Sequence, residues 1–156
     1  MTPVPDSTVP PVQQLQATLS AMPPVKAMGI ELRGFSGDQL QLSAPLAANV
    51  NDKGNAFGGS LASAMTLAGW ALVTLRLRQA GFEADVYVAD SQIRYLAPVY
   101  DDLLATATAL PGADWDEFLS TFGRRGRARI PVRAVIGEDA SPAAELEGRF
   151  VAMARG

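Results

Sequence analysis

Asn51–Gln79 reads NDKGNAFGGSLASAMTLAGWALVTLRLRQ, and the fold turns on how this stretch is read. A polar, glycine-bearing turn opens it. No charged residue then occurs from Gly54 to Leu75, and Arg76 and Arg78 close the run. A surface helix carries a polar stripe, and this segment has none. Leu61, Met65, Leu67, Trp70, Leu72 and Leu75 point in all directions around a helix axis. The segment therefore predicts a helix wrapped by the rest of the chain, about 33 Å long from Gly58 to Gln79 at 1.5 Å per residue. An uncharged run of this length could also cross a bilayer. Ser60, Ser63, Thr66, Thr74 and the glycines dilute its hydrophobicity, and no aromatic belt flanks it. A buried core helix is the reading, with no membrane partner.

The rest of the 156 residues supplies the wrapping. Residues 1–11 carry four prolines and no apolar periodicity, so a disordered lead-in is expected before a single domain over residues 12–156. Val12, Leu15, Leu19 and Met22 have helical spacing and stop at Pro23-Pro24, which predicts a short helix over one mouth of the fold. Lys26–Phe35 and Gln39–Pro45 read as a hairpin turned at Ser36-Gly37-Asp38, with Leu40, Leu42 and Ala44 on the dry face. Gly81 is a helix stop. Ala84–Leu96 and Asp102–Leu110 read as strands, and Trp115–Phe122 as a helical excursion capped by Asp114. In the last hairpin Ala128, Ile130, Val132, Ala134 and Ile136 share one face, as do Ala144, Leu146, Gly148 and Phe150. Arginines and glutamates share the other face, which predicts cross-strand charge pairs. One antiparallel sheet and one long apolar helix have a simple solution: an α+β fold in which the curved sheet wraps the helix. A single sheet leaves one side of such a helix bare, so a homodimer is expected, with the two helices near each other.

Composition narrows the chemistry. The net charge of −3 argues against a nucleic-acid partner. There is no cysteine and no histidine, which removes disulfides, thiolate nucleophiles, Ser-His-Asp chemistry and most zinc sites. Chemistry must come from carboxylates, hydroxyls, amides and backbone groups. No basic segment followed by an apolar run opens the chain, so the cytoplasm is the expected location.

This architecture, with Asn51-Asp52-Lys53-Gly54 leading to Phe57-Gly58-Gly59-Ser60, resembles the hotdog-fold acyl-thioesterase superfamily. GNAFGGSLASAMTLAGWALVTLRL is similar to the thioesterase family known as the YiiD C-terminal domain, as are ADSQIRYLAPV (Ala89–Val99) and Glu147-Gly148-Arg149-Phe150-Val151. The resemblance covers roughly residues 20–154. It implies a dimer or dimer of dimers, acyl-CoA or acyl-carrier-protein thioesters as ligands, and no metal or other cofactor. Relatives of the phenylacetate-pathway thioesterase usually carry His-Gly-Gly before the helix and an acid within it. Here Phe57 stands at the histidine position and Thr66 roughly at that of the acid.

The candidate site residues follow. Helix-start amides have no internal acceptor and carry the positive dipole end, so Phe57, Gly58, Gly59 and Ser60 are expected to bind a thioester carbonyl as it becomes an oxyanion. The alternative is that the glycines permit close packing and Ser60 caps the helix. Asp52 could activate water and Asn51 orient it, against ordinary turn chemistry for both. Ser63 and Thr66, on a helix face with Ser60, could line an acyl pocket and hold a water, unless they bond back to helix carbonyls. Asp90, an acid among Val86, Val88 and Ile93, could have the raised pKa of a general base, with Ser91 beside it contacting substrate. Arg124, Arg125, Arg127 and Arg129 could meet CoA phosphates, or pair with Glu145 and Glu147. The expected function is thioester hydrolysis at a dimer interface. The alternative is a non-catalytic acyl-thioester-binding module, and a hotdog dehydratase is weaker because it would need a histidine.

Overall fold

The computed structural model describes residues 9–155. Helices α1 (Pro11–Ala21) and α2 (Pro23–Met28) lead into strands β1 (Glu31–Ser36) and β2 (Gln39–Ala44). A 3-10 turn over Leu46–Ala48 precedes the long helix α3 (Gly58–Gln79). Strands β3 (Ala84–Tyr95) and β4 (Leu103–Ala109), helix α4 (Trp115–Arg125) and strands β5 (Arg127–Glu138) and β6 (Ser141–Ala154) complete the chain. The six strands form one sheet in the order β1-β2-β4-β5-β6-β3, and every neighbouring pair is antiparallel. Helix α3 packs against β2 through β6, and this is the hotdog fold.

Helix α3 has the bounds the charge-free run predicts, and it stops where expected: Gly81 takes φ 86°, a conformation glycine adopts without steric cost. Met65, Ala68, Ala71, Leu72 and Leu75 are fully buried against Leu40, Leu42, Leu103, Ala105, Ile130, Val132 and Leu146. The approach to the sheet is close because small residues line it. A Cβ on Gly69 would sit 2.5 Å from Cζ of Phe150, whose ring is itself fully buried. One stripe of the helix is not covered: Gly58, Ala62, Ser63, Thr66, Leu67 and Trp70 stay half-buried, and Gly59 is exposed.

The two ends of α3 differ. Its carboxyl end is plugged by aromatic side chains from α4 and the following loop. Phe82 and Phe122 meet edge to face at 5.3 Å, as do Trp115 and Phe118 at 5.8 Å. The Arg76 guanidinium lies 4.8 Å over the Trp115 ring and bonds Asp38 at 2.7 Å. Helix α4 is the expected excursion, and Asp114 caps it by accepting the N–H groups of Asp116 and Glu117.

Several expectations need correction. Helix α1 stops at Ala21, ahead of Pro23-Pro24 as expected, but the two prolines do not lead directly into a strand. The pair opens α2 in its first turn, where proline's missing N–H costs nothing, so the strand expected from Lys26 begins only at Glu31. Pro11 likewise opens α1; the rest of the expected lead-in, residues 1–8, lies outside the described residues. Of the expected cross-strand charge pairs, the one between Arg133 and Glu145 forms, and Asp139 and Arg94 join it. Arg133 reaches Asp139 at 2.6 Å and Glu145 at 3.4 Å, and Arg94 reaches Glu145 at 3.1 Å. Arg124, Arg125, Arg127 and Arg129 make no ion pair with a described residue.

Candidate active site at the amino end of the central helix

The backbone around the start of α3 is held from below. Asn49 is 3% exposed, and its Nδ2 donates to the carbonyls of Met28 at 2.9 Å and Pro45 at 2.8 Å. Its own carbonyl accepts the Phe57 N–H at 2.7 Å, while its Oδ1 has no protein partner. Asn51 closes the intervening loop. Its Oδ1 accepts the N–H of Lys53 at 2.8 Å and of Asn55 at 3.2 Å, and its Nδ2 donates to Asn55 Oδ1 at 2.7 Å. This is turn chemistry, and it leaves Asn51 committed to the loop. Asp52 stands at the loop tip, its side chain 80% exposed and bonded to Lys53.

Phe57 is the N-cap residue, with φ −63° and ψ 131°, and no side chain caps the helix. Its carbonyl accepts the Ser60 N–H at 2.9 Å and the Leu61 N–H at 3.1 Å. The Ser60 amide is therefore engaged within the protein, and Ser60 does not cap the helix. The amides of Gly58 and Gly59 have no acceptor among the described residues. Uncapped amides at a dipole's positive end attract an anionic or polarised oxygen. Two aromatic rings flank them. A Cβ on Gly59 would lie 2.5 Å from Phe57 Cε2, and one on Gly58 would lie 3.8 Å from Tyr95 Cε1. Ser63 and Thr66 follow along the uncovered stripe, and neither hydroxyl bonds back to the helix or to any described residue.

Asp90 is elsewhere. A β-bulge lies between Val88 and Asp90: Val88 pairs with Phe150, Asp90 with Arg149, and Ala89 is the extra residue. The extra residue reverses the alternation, as a one-residue slip must. Val86 and Val88 face the helix, and so, past the bulge, do Ser91, Ile93 and Tyr95. Asp90 turns to the outer face beside Arg149, which bonds it at 2.9 Å through Nε and again through Nη2. That hydrogen bond holds the Asp90 carboxyl below the usual carboxylate range, opposite to the rise expected of an acid in apolar surroundings. Asp90, Ser91, Arg149 and Glu147 line an open groove of about 410 Å³ that Gly58 and Gly59 do not line. The structure thus brings Phe57, Gly58 and Gly59 together, continues the stripe with Ser63 and Thr66, and keeps Asp90 apart. The arginine cluster is also remote. Arg127 pairs with Met153, which pairs with Asp85, at the end of β3 opposite Tyr95.

Sequence reasoning passes over Asn49 and Tyr95. The broken alternation Val86, Val88, then Ile93 and Tyr95 is the signal that could have placed Tyr95 on the helix side.

Residues 12–154 match the family described as "Putative thioesterase (yiiD_Cterm)". A protein of unknown function from Chlorobaculum tepidum TLS is 32% identical, with TM-score 0.85 over 92% of this chain and 94% of that one. A "putative thioesterase" from Shewanella oneidensis is 30% identical, with TM-score 0.82 over 92% and 97%. The PaaI protein of the E. coli phenylacetic acid degradation operon shares the fold at 16% identity, with TM-score 0.63 over 94% of each chain.

Proposed function

The chain belongs to the YiiD C-terminal thioesterase family, and from that premise we propose that it hydrolyses an acyl-CoA or acyl-carrier thioester in the cytoplasm, at the interface of a homodimer. Family membership supports thioester hydrolysis in general. The observation that carries the finer reading is the uncapped pair of amides at Gly58 and Gly59. The thioester oxygen would lie on them. A water oxygen attacks the carbonyl carbon, the two amides stabilise the oxyanion that forms, and the C–S bond then breaks. The products are a carboxylic acid and a thiol, the thiol sulfur taking up a proton that the water releases. Each such donor is commonly worth about 3 kcal/mol of barrier. Ser63 and Thr66, with free hydroxyls next along the helix, would hold the attacking water, and the apolar stripe with Trp70 would receive the acyl chain.

A second copy of the chain fits the surfaces left open. Strand β3 is a sheet edge of 12 residues unpaired among the described residues, and Tyr87, Val88 and Tyr95 are exposed on it, with exposed Leu96 just beyond its end. Edges of this kind invite pairing. A partner pairing there, isologously, would also cover the bare stripe of α3.

One observation favours the non-catalytic reading. Thr66 stands where relatives place an acid, Asp90 is turned away to Arg149, and Asp52 is at an exposed loop tip. A thiol-release assay over a panel of acyl-CoAs decides between the two. Turnover supports hydrolysis, whereas saturable binding with no thiol released means that the chain is a binding module.

A further inference from the structure

We infer that Tyr95 is a third member of the carbonyl-binding group: its hydroxyl donates to the thioester oxygen held on the Gly58 and Gly59 amides. This rests on the reading of α3's amino end as the carbonyl site. It assigns a role to a side chain that simple alternation from Val86 and Val88 puts on the wrong face.

Three observations carry it. The first is phase. Tyr95 pairs with fully buried Ala144, so it stands on the helix-facing side of β3, and it does so because Ala89 is bulged out of the pairing and not counted in the ladder. Bulges commonly re-aim a side chain next to a functional site. Here one bulge sends a carboxylate outward and a phenol inward.

The second is proximity. The Tyr95 atom nearest a Cβ built on Gly58 is Cε1, at 3.8 Å. Cε1 is the only atom of the ring within 4 Å of that position, and it adjoins the carbon that bears the hydroxyl, so the hydroxyl is one bond beyond the ring's point of closest approach to Gly58. The opposite flank, over Gly59, is the Phe57 ring, which has no donor to offer.

The third is satisfaction. The Tyr95 ring is 57% exposed, and its hydroxyl has no hydrogen-bond partner among the described residues. At this exposure the phenol gives its O–H to water, so a carbonyl oxygen arriving there displaces a water and breaks no bond within the fold. A carbonyl oxygen has two lone pairs, and it can accept from the side while the helix amides approach along the axis. The platform is also fixed before any ligand arrives, because buried Asn49 holds the Phe57 N–H from below.

Tyr95→Phe tests the assignment, because it keeps the ring and removes one oxygen. In the hydrolysis assay we expect kcat to fall about 10- to 100-fold, less than the roughly 100- to 1,000-fold of a lost water-excluded oxyanion donor because Tyr95 is exposed, with KM changed less than about threefold. Thermal stability should stay at the wild-type value, since the hydroxyl touches nothing in the fold. An unchanged kcat overturns the inference. If the wild-type protein releases no thiol, the hydrolase reading fails by itself and binding decides on Tyr95. Two analogues are then compared: a ketone analogue of the tightest-binding acyl-CoA, with CH2 in place of sulfur, and an S-alkyl-CoA of the same length that lacks the carbonyl. Tyr95→Phe should weaken the ketone about 10-fold and leave the S-alkyl compound unchanged. Equal affinities for the ketone in both proteins, or no binding of either analogue by the wild-type protein, overturn it.

Discussion

The reading of α3's amino end can be tested by deleting a single hydrogen-bond donor. Gly58→Pro removes one N–H, and the structure accepts proline there. Position 58 is the first of the helix, where proline is favoured because that N–H has no intrahelical acceptor. The preceding residue must avoid helical ψ, and Phe57 already has φ −63° and ψ 131°. A Cβ at 58 meets nothing closer than Tyr95 Cε1 at 3.8 Å, an ordinary contact. No hydrogen bond within the fold is lost, because the Gly58 amide makes none. The unfolded chain loses freedom, which stabilises the native state by about 0.4–1 kcal/mol. In a domain of this size that raises Tm by roughly 1–4 °C, at about 2–4 °C per kcal/mol. Turnover should move the other way. Losing one oxyanion donor costs about 2.7–4 kcal/mol of barrier, a fall in kcat on the order of 100- to 1,000-fold. Thiol release and a thermal melt at one protein concentration measure both. A variant that melts no lower than wild type and yet hydrolyses at the wild-type rate refutes the oxyanion role of Gly58. A variant that melts well below wild type refutes the geometric argument instead.

Further substitutions probe the same frame. Gly69→Ala should lower stability by about 1–2 kcal/mol: overpacking against Phe150 costs about 1–3 kcal/mol, and the gain in helix propensity returns up to about 1. Gly123→Ala, whose Cβ would meet only Phe82 at 3.5 Å, should instead raise it, and urea unfolding of the pair checks the opposite signs. Thr74→Val should stabilise by about 1 kcal/mol, because the buried Thr74 hydroxyl has no partner; a lower urea midpoint would contradict this. Asp90→Asn should keep thiol release near the wild-type rate, since Asp90 lies on the outer face. The folded pKa of Asp90 is depressed, so its contribution to stability is present above about pH 4 and disappears as pH falls through the folded value. Any stability gap between wild type and Asp90→Asn at pH 7 should therefore close in acid, as paired melts across pH will show.

Much of the fold was legible because burial leaves a plain mark on composition. The uncharged run Gly54–Leu75 gave α3 its bounds, and the alternations in β2, β5 and β6 gave those strands their faces. The Asp114 cap was legible because the side chain and the helix it starts are adjacent in sequence. Features that depend on backbone phase were hidden. Val86, Val88 and Asp90 share parity, so simple alternation puts Asp90 among apolar neighbours; Ile93 breaks that parity, but only the pairing shows that Ala89 is the extra residue. The double proline at 23–24 follows the end of one helix and opens another, and residue identity alone does not reveal the second role. Ser60 is a plausible cap by type. The cap is set by backbone angles, however, and those make Phe57 the N-cap and engage the Ser60 amide. The helix therefore starts three residues earlier than a cap at Ser60 would place it, and the open amides are those of Gly58 and Gly59.

The bulge at Ala89 also decides which chemistry β3 presents. Deleting Ala89 would leave Asp90 opposite Arg149 and Tyr95 opposite Ala144, because the residue lost is the one without a partner. A strand that kept every residue and paired Ala89 regularly would slip by one beyond Val88, taking Ser91, Ile93 and Tyr95 off the helix side and swinging Asp90 toward it. A phenol-bearing wall would then become an acid-bearing one with the composition untouched, so two chains of identical sequence in this strand could differ in chemistry through pairing alone.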